Sequence, residues 1–498
     1  MSSSLLSSTT NPGAHDRKGN QGLSTTQFAW APDLIYLKGE FVGDMALVCG
    51  ADGNVVEILP ATQFEGRIIR LKDRALLPAL VNAHSHAFQR VIRGRTEYKA
   101  NKHDSFWTWR ELMYRAASRL SLEDVYDASR MAFLEMALSG ITAVGEFHYL
   151  HRNAAGCQYD DPNLLALEVT RAARDVGVRI ALLRVAYARS GYQTPADPRQ
   201  LRFIEPQVDI YLRHTERLIT DVCRLALKDT VWVGVAPHSV RAVPLPYLRE
   251  VVAFASQHEL PFHMHVAEQP AEVVACVRET GRTPLSLLYD EGMLGPRFTA
   301  VHATHIAPGE AEALGRTGSF VCACPTTERN LGDGILPADE LLKRGVRIAL
   351  GSDSQTQIDL LEDARELEYH LRLQRLERVV LSSPLTDGEE NCEERTCTAL
   401  ARSLFDCATS HGAASIGAPT GLLEPGRPAD FFTVDLTDSS IAGASPGDLL
   451  PLIVFSLQQR AIREVATGGT LIIEAGKHHK SQQIVERFRA LQKRLWQN

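Results

Sequence analysis

The sequence predicts an α/β protein whose main part is a (β/α)8 barrel of the TIM type. From Leu76 onward, short apolar runs rich in Val and Ile alternate with longer segments of helical period. This pattern is typical of parallel strands joined by crossover helices. The apolar runs number about eight, which is the number of strands that closes such a barrel.

The individual barrel elements follow from the same alternation. Each apolar run predicts one strand, and the strands are expected at 76–83, 141–147, 178–187, 231–236, 260–266, 298–303, 318–324 and 346–351. Between these runs, apolar residues three and four positions apart are separated by charged ones, as in amphipathic helices. The clearest helices are predicted at 161–176, 208–228, 244–258 and 359–379.

The two ends of the chain predict a second, smaller domain. Residues 29–77 contain short strands with a Gly50 to Asn54 turn, and residues 420–475 show the same pattern with a Gly468-Gly469 turn. We expect these two stretches to pair as one small β-sandwich. The barrel then occupies residues 78–419.

The composition and the two chain ends limit the classes of partner and the cellular compartment that we expect. The net charge of −7 provides no basic stripe, so no nucleic-acid partner is expected, and no apolar stretch reaches membrane-spanning length. Nine cysteines, an odd number, form no disulfide framework, which predicts a reducing, cytoplasmic location. Residues 1–28 are polar and predict a disordered tail, and residues 476–498 predict a C-terminal helix.

Polar residues stand where several apolar runs end, which is where the reacting groups of a barrel enzyme lie. They are His84 and His86 after strand one, His265 and Glu268 after strand five, His302 after strand six and Asp353 after strand eight. Two histidines separated by one residue point the same way from a strand. Imidazoles and a carboxylate from separate strand ends suit a tetrahedral or five-coordinate site for one divalent ion.

Each of these residues also has a structural alternative. His263 is two residues deeper than His265 and is compatible with a core histidine, so we favour His265 as the ligand. His302 is nearer the barrel rim than His305, for which we expect a hydrogen bond within the loop. Asp353 is compatible with a helix N-cap, but its position directly after a buried strand favours a metal ligand.

The fourth strand indicates one metal rather than two. No lysine ends the run from Val231 to His238, where a carbamylated lysine bridging two metals would be needed. A single metal with an open position lowers the pKa of bound water towards neutrality, which predicts hydrolysis. Glu268 is placed to move a proton from that water to a leaving amine. His302 and Asp353 complete the predicted catalytic set.

These residues resemble the amidohydrolase superfamily, with His-x-His on strand one, His on strands five and six and Asp on strand eight. The segment from Gly421 to Asp430 looks like part of the β-sandwich that its members add to the barrel. Several segments are similar to the formimidoylglutamate deiminase family within it, from about residue 30 to about residue 475. They are His84 to Arg90, Ser105 to Arg110, Glu146 to Tyr149, His238 to Arg241, His265 to Gln269 and Cys324 to Glu328.

The resemblance implies an enzyme that hydrolyses N-formimino-L-glutamate to N-formyl-L-glutamate and ammonia, a step in histidine degradation. It implies a homodimer and one divalent ion per chain, usually Zn²⁺. The ligands it implies are His84, His86, His265 and Asp353, with Glu268 and His302 handling protons. The substrate-binding residues it implies are Gln89, Arg110, Tyr149, His238 and Arg241. The expected small-molecule substrate carries two carboxylates and a formimino group, and arginine binds carboxylates bidentately.

Two other functions remain open at this point. A deaminase of a purine, pterin or other heterocycle would keep the metal ligands but would not need two arginines for carboxylates. A barrel without catalytic activity, serving as an assembly scaffold, is the alternative from another class. Arg110 and Arg241, taken singly, are also compatible with surface charges, and no contacts are assigned to residues 355–357.

Overall fold

A computed structural model describes residues 27–98, 106–195, 197–225, 230–382 and 393–497. The predicted disordered tail, residues 1–28, lies outside these ranges except for its last two residues. The strands of the described residues, in chain order, are β1 Phe28–Leu37, β2 Glu40–Gly43, β3 Met45–Cys49, β4 Val55–Pro60, β5 Arg67–Pro78, β6 Leu80–Ser85, β7 Ile141–His148, β8 Arg179–Ala186, β9 Val231–Pro237, β10 Phe262–Val266, β11 Phe298–His302, β12 Phe320–Ala323, β13 Arg347–Leu350, β14 Phe431–Asp435, β15 Ile462–Thr467 and β16 Thr470–Ile473.

Helices follow most of the barrel strands, as a crossover fold requires. In chain order they are α1 Phe106–Ala117, α2 Leu122–Leu138, α3 Leu164–Val176, α4 Val208–Arg224, α5 Leu245–Gln257, α6 Pro270–Thr280, α7 Pro284–Asp290, α8 Glu310–Thr317, α9 Pro325–Leu331, α10 Ala338–Lys343, α11 Leu360–Arg375, α12 Glu393–Ala408, α13 Ser410–Ile416, α14 Leu449–Ser456 and α15 Ser481–Trp496. Local sequence sets several of their ends. Ser121 and Asp124 form a capping box at the start of α2, and the Asp359 side chain caps α11.

Eight parallel strands, β6 to β13, form the barrel in chain order, which confirms the predicted fold class. Its closure between β13 and β6 rests on two backbone hydrogen bonds at the strand ends. The amide of His86 donates to the carbonyl of Asp353, and the amide of Asp353 donates to the carbonyl of His84, both at 3.0 Å. The point of closure is therefore also the point where three predicted metal ligands meet.

The small domain is built from both ends of the chain, as predicted, and its strands form one mixed sheet. Its strand order is β16, β15, β14, β5, β1, β3 and β4, with β2 paired to β1. Trp30 and Phe431, from opposite ends of the sequence, pack with ring centroids 5.6 Å apart. The guanidinium of Arg179 on β8 donates to both carboxylate oxygens of Asp430, at 2.8 and 3.1 Å. This buried pair joins the small domain to the barrel.

Two details differ from the sequence predictions. The predicted strand 76–83 is two strands, because Leu76 to Pro78 end β5 in the small sheet and only Leu80 onward belongs to the barrel. The region 420–475, predicted as strands alone, also contains helix α14. A short apolar run fits a buried strand or a buried helix equally well, and here Phe455 packs on Tyr369 of α11 with ring centroids 6.0 Å apart.

Candidate metal centre and active site

Four potential metal ligands converge at the carboxyl ends of the barrel strands. His84 lies on β6, His86 directly follows it, His265 lies on β10 and Asp353 follows β13. One ligand atom from each lies within 4.8 Å of those of the other three, and all four residues are buried. Nε2 of His84 and Nε2 of His86 each lie 3.2 Å from Oδ1 of Asp353. The structure therefore brings together the four residues that the sequence predicts as metal ligands.

Hydrogen bonds orient two of the imidazoles. Nδ1 of His86 donates to the carbonyl of Phe147 at 3.0 Å, and Nδ1 of His265 donates to the carbonyl of His238 at 3.1 Å. Since a carbonyl only accepts, each Nδ1 carries the proton and each Nε2 of the neutral ring carries a lone pair. This is the arrangement by which metal-ligating histidines are usually held.

The environment of the His84 ring shows whether a metal ion fits this site. Its ring is fully buried, and neither ring nitrogen makes a hydrogen bond of good geometry to a described residue. Burial lowers the pKa of His84 to about 3, so the ring is neutral. A buried polar ring without a well-aligned hydrogen bond is costly, and metal coordination removes that cost. Three neutral imidazoles and a carboxylate suit zinc and related divalent ions, so the donor set fits.

A buried hydrogen-bond network lies behind these ligands and joins β6, β7 and the turn after β13. Nε2 of Gln355 donates to Oγ of Ser85 at 2.8 Å, and that hydroxyl donates to Glu146 at 2.6 Å. Oγ of Ser352 donates to Oε1 of Gln355 at 3.0 Å and accepts from Nδ2 of Asn82 at 2.7 Å. The network therefore holds the backbone that carries three of the four ligands, and it gives Gln355 contacts that the sequence left unassigned.

Glu268 and His302 lie beside the ligands. Nε2 of His302 is 3.7 Å from Oε1 of Glu268 and 4.0 Å from Oδ2 of Asp353, and its Nδ1 is 3.2 Å from Oε1 of Glu328. Burial opposes protonation of His302, but these carboxylates outweigh it and hold its pKa well above the ordinary value. His302 is fully buried, whereas 15% of the Glu268 side chain remains exposed. Glu268 is thus the member of the pair that a ligand in the cavity can reach.

The two predicted catalytic carboxyl groups differ in their electrostatics. Burial raises the pKa of Glu268 above its ordinary value. Burial also opposes ionisation of Asp353, but the close contacts of its carboxylate with the His84 and His86 rings outweigh burial and hold the pKa of Asp353 well below the ordinary value. Carboxyl groups with such different environments suit different tasks, one as an ionised ligand and one in proton transfer.

Backbone strain is concentrated at the same rim of the barrel. Several residues other than glycine have a positive φ there. This conformation costs energy, which the surrounding structure must offset. These residues are Ala267 at 51°, His302 at 69°, Ala303 at 53°, Asp353 at 43° and Gln355 at 63°. Three of them are residues of the site just described or of its supporting network.

A cavity opens from the ligands towards α1 and the loops after β8 and β9. All five predicted substrate-binding residues line it, namely Gln89, Arg110, Tyr149, His238 and Arg241. Nε2 of Gln89 donates to the Tyr149 hydroxyl at 2.8 Å, and Arg241 donates to the carbonyl of Ser190 at 3.2 Å. The two arginines and three of the four predicted metal ligands, His86, His265 and Asp353, therefore border one cavity.

The structure adds residues that sequence reasoning missed. Tyr114 and Tyr187 line the cavity, and Glu328 contacts His302. Glu328 closes one of the segments quoted above, so the sequence did carry a signal for it. The tyrosines carry no such signal, because they lie far apart in the sequence. His263 is the core residue of its pair, since its Nε2 bonds to the carbonyl of Ser415 at 2.9 Å.

Comparison with known proteins places this fold and site in a family. Residues 75–472 match the model of the amidohydrolase family. The chain belongs to the amidohydrolase family. This amidohydrolase is 38% identical to formimidoylglutamate deiminase of Pseudomonas aeruginosa over 440 residues, which are 88% of this chain and 93% of that protein. It is 27% identical to 8-oxoguanine deaminase of the same species over 429 residues, 85% of this chain and 88% of that one.

Solved structures show the same fold. A crystal structure of an amidohydrolase from Brucella melitensis superposes with a TM-score of 0.83 at 29% identity, covering 94% of this chain and 99% of that one. An adenosine deaminase from Xanthomonas campestris with bound zinc gives a TM-score of 0.76 at 21% identity, covering 95% and 99%. Among the described residues of this amidohydrolase, no helix combines the length and apolar character needed to cross a membrane.

Proposed function

We propose that this amidohydrolase hydrolyses N-formimino-L-glutamate to N-formyl-L-glutamate and ammonia. One observation carries the proposal: the cavity is bordered by a cluster of metal ligands and by two arginines, Arg110 and Arg241. An amidine with two carboxylates is the substrate class that needs both features. The 38% identity to a formimidoylglutamate deiminase supports the same assignment.

We propose that His84, His86, His265 and Asp353 hold one divalent ion per chain, and that this ion is Zn²⁺. When bound, such an ion supplies Lewis acidity and lowers the pKa of water towards neutrality. The neutral, buried ring of His84 and the oriented rings of His86 and His265 support this assignment.

Proton transfer is assigned to Glu268, with His302 and Asp353 beside it. Glu268 accepts a proton from the attacking water and delivers it to the leaving nitrogen, which departs as ammonia. His302, held by Glu328 on one nitrogen, presents its other nitrogen towards Glu268 and Asp353. The protonated ring of His302 stabilises negative charge that develops on the atoms bonded to the attacked carbon.

Substrate binding is assigned to Gln89, Arg110, Tyr149, His238 and Arg241. The arginines bind the two carboxylates, and the partial burial of Arg241 in the cavity wall strengthens such a charge-assisted contact. The 27% identity to 8-oxoguanine deaminase favours a heterocycle deaminase as the second candidate. That substrate class leaves both arginines without a carboxylate partner.

Cellular context and assembly form a separate part of the proposal. We propose a homodimer in the cytoplasm that acts in histidine degradation, with domains at 29–77 plus 420–475, 78–419 and 476–498. All seven cysteines whose side chains the structure describes are free, which supports a reducing compartment. Light scattering of the purified protein tests the dimer, and a monomer would contradict it.

Ammonia release from N-formimino-L-glutamate by metal-loaded protein tests the activity, with guanine and adenosine as competing substrates. Glu268→Gln is expected to lower kcat by about 10²- to 10⁴-fold, the contribution of general acid and base catalysis. Arg241→Met is expected mainly to raise KM. Faster release of ammonia from guanine or adenosine would contradict the proposal, as would near wild-type kinetics for both variants.

A further inference from the structure

Two tyrosine hydroxyls meet one buried amide at the wall of the cavity. Tyr114 lies on α1, Tyr187 directly follows β8, and Gln200 lies in the loop between β8 and α4; all three side chains are buried. Nε2 of Gln200 donates to the Tyr114 hydroxyl at 2.5 Å and to the Tyr187 hydroxyl at 3.1 Å. Both tyrosines line the cavity.

The oxygen of the Gln200 amide faces Ser190 and its nitrogen faces the two tyrosines. The backbone N–H of Asp197 donates to Oγ of Ser190 at 2.6 Å. Ser190 in turn donates its hydroxyl proton to Oε1 of Gln200. With its oxygen turned to Ser190, Gln200 presents its NH₂ group to the tyrosines. An amide NH₂ group only donates, so both tyrosine oxygens act as acceptors towards Gln200.

This arrangement leaves each tyrosine with one O–H proton to donate. Among the described residues, no acceptor is bonded to the O–H proton of Tyr114 or Tyr187. Burial raises the pKa of Tyr114 above its ordinary value, so this proton stays on the hydroxyl. Two hydroxyl donors on the cavity wall therefore have no acceptor among the described residues.

The surroundings of these donors favour an anion. Arg241 borders Tyr187, and the guanidinium of Arg110 lies 5.5 Å from the Tyr114 ring centroid. The ring of Tyr187 packs against His238 at 4.7 Å, and His238 packs against the metal ligand His265 at 4.9 Å. The Tyr187 ring is therefore separated from His265 by one imidazole, and both tyrosines and His265 line the same cavity.

We propose that Tyr114 and Tyr187, oriented by Gln200 as a positioning residue, donate hydrogen bonds to a carboxylate of the substrate. The inference rests on the proposed function, because it assumes a substrate that carries carboxylates. The two hydroxyl donors also add substrate specificity, because they favour a group that accepts hydrogen bonds, such as a carboxylate. A neutral heterocycle that presents N–H groups at this place would leave both hydroxyls unpaired.

Steady-state kinetics of Tyr114→Phe and Tyr187→Phe test the inference with two substrates. For N-formimino-L-glutamate we expect each variant to raise KM by about 10- to 100-fold, as for loss of a hydrogen bond to a charged group, with kcat little changed. For formamidine, which has no carboxylate, kcat/KM should not change. Equal losses for both substrates, or unchanged KM for N-formimino-L-glutamate, would overturn the inference.

Gln200→Glu replaces the NH₂ donor that orients the two tyrosine hydroxyls with a carboxylate, which is an acceptor. A carboxylate at this position accepts from both tyrosines and turns their protons away from the cavity. We expect a larger rise in KM than in either Phe variant, again without an effect on formamidine. Tyr289→Phe removes a partly exposed hydroxyl on α7 and is the matched control, with unchanged kinetics. A Gln200→Glu enzyme with wild-type KM would contradict the positioning role.

Calorimetric binding of glutarate separates this inference from the proposed function, because it needs no turnover. Weaker glutarate binding by both Phe variants supports the carboxylate contact even if N-formimino-L-glutamate proves not to be a substrate. Wild-type glutarate affinity in both variants overturns the inference, even if the enzyme turns over N-formimino-L-glutamate at full rate.

Discussion

The two sides of the cavity are supported in different ways. The metal side, defined by the four predicted ligands and the Gln355 network, is supported by hydrogen bonds between neighbouring strand ends. The substrate side, defined by Tyr114, Tyr187 and Gln200, belongs to α1 and to the loop between β8 and α4. The barrel itself thus fixes the metal side, whereas the substrate side depends on how that loop is attached.

A buried ion pair attaches the loop. Arg184 on β8 donates to both carboxylate oxygens of Glu205, at 2.6 and 3.1 Å, and His214 contacts the same carboxylate at 2.6 Å. The amide of Glu205 donates to the carbonyl of Tyr187 at 2.9 Å, which closes the loop at its base. Burial opposes ionisation of Glu205, but Arg184 and the nearby histidines outweigh it and hold its pKa below the ordinary value.

The largest expected effect comes from breaking this pair with Arg184→Met. Removing one partner leaves a buried charge uncompensated, which costs about 3–5 kcal/mol of unfolding free energy at pH 7. In the wild type the folded pKa of Glu205 lies below its unfolded value, so the pair's contribution is complete above the ordinary pKa of 4.5 and is lost as pH falls through the folded value. Denaturant unfolding measures both quantities.

Without Arg184, burial raises the pKa of Glu205 instead, so the variant's stability decreases as pH rises from 5 to 7. The difference between wild type and variant is therefore expected to be smaller at pH 5 than at pH 7. Arg213→Met, which removes an exposed pair with Asp209, is the matched control and should stay near wild type. A pH-independent difference would show that charge does not attach the loop.

On the metal side, Gln355→Leu should weaken metal binding by about 10- to 100-fold, the usual cost of losing a partner behind the ligands. The change removes the hydrogen bonds to Ser85 and Ser352 while leaving all four ligands in place. Competition with a chromogenic chelator measures the affinity. Exposed Gln482→Leu is the control. Unchanged affinity in Gln355→Leu would mean that the network does not position the ligands.

The smallest effect is expected from the exposed pair between Arg199 and Glu111, which joins the same loop to α1 at the surface. Both side chains are about half exposed, so water screens their charges. Glu111→Gln should change the unfolding free energy by less than about 1 kcal/mol and leave KM for N-formimino-L-glutamate unchanged. A change as large as that of Arg184→Met would reverse the assignment of the loop's main attachment.

The difference between the two sides also explains what the sequence could predict. The predicted ligands stand at the ends of apolar runs, so strand periodicity and the alternation of side chains pointed to them and to the barrel together. The contacts of Gln355 were not predicted, because its partners Ser85 and Ser352 lie beside predicted ligands but carry no chemical signal of their own. Their role depends on the closure of β13 against β6, which the sequence does not display.

The substrate side was predicted only in part. Arg110 and Arg241, which line the cavity, were predicted through resemblance. Tyr114, Tyr187 and Gln200 meet through a loop whose path no periodic pattern specifies. Helix α14 was missed for a related reason, because a short apolar run does not distinguish a buried helix from a strand.

The most direct test of the account is a metal titration of chelator-treated protein, followed by ammonia release from N-formimino-L-glutamate. The account predicts no turnover without metal, a linear rise as Zn²⁺ is added, and a plateau at one equivalent per chain. Turnover by metal-free protein, or a plateau at two equivalents, would contradict a single ion held by His84, His86, His265 and Asp353.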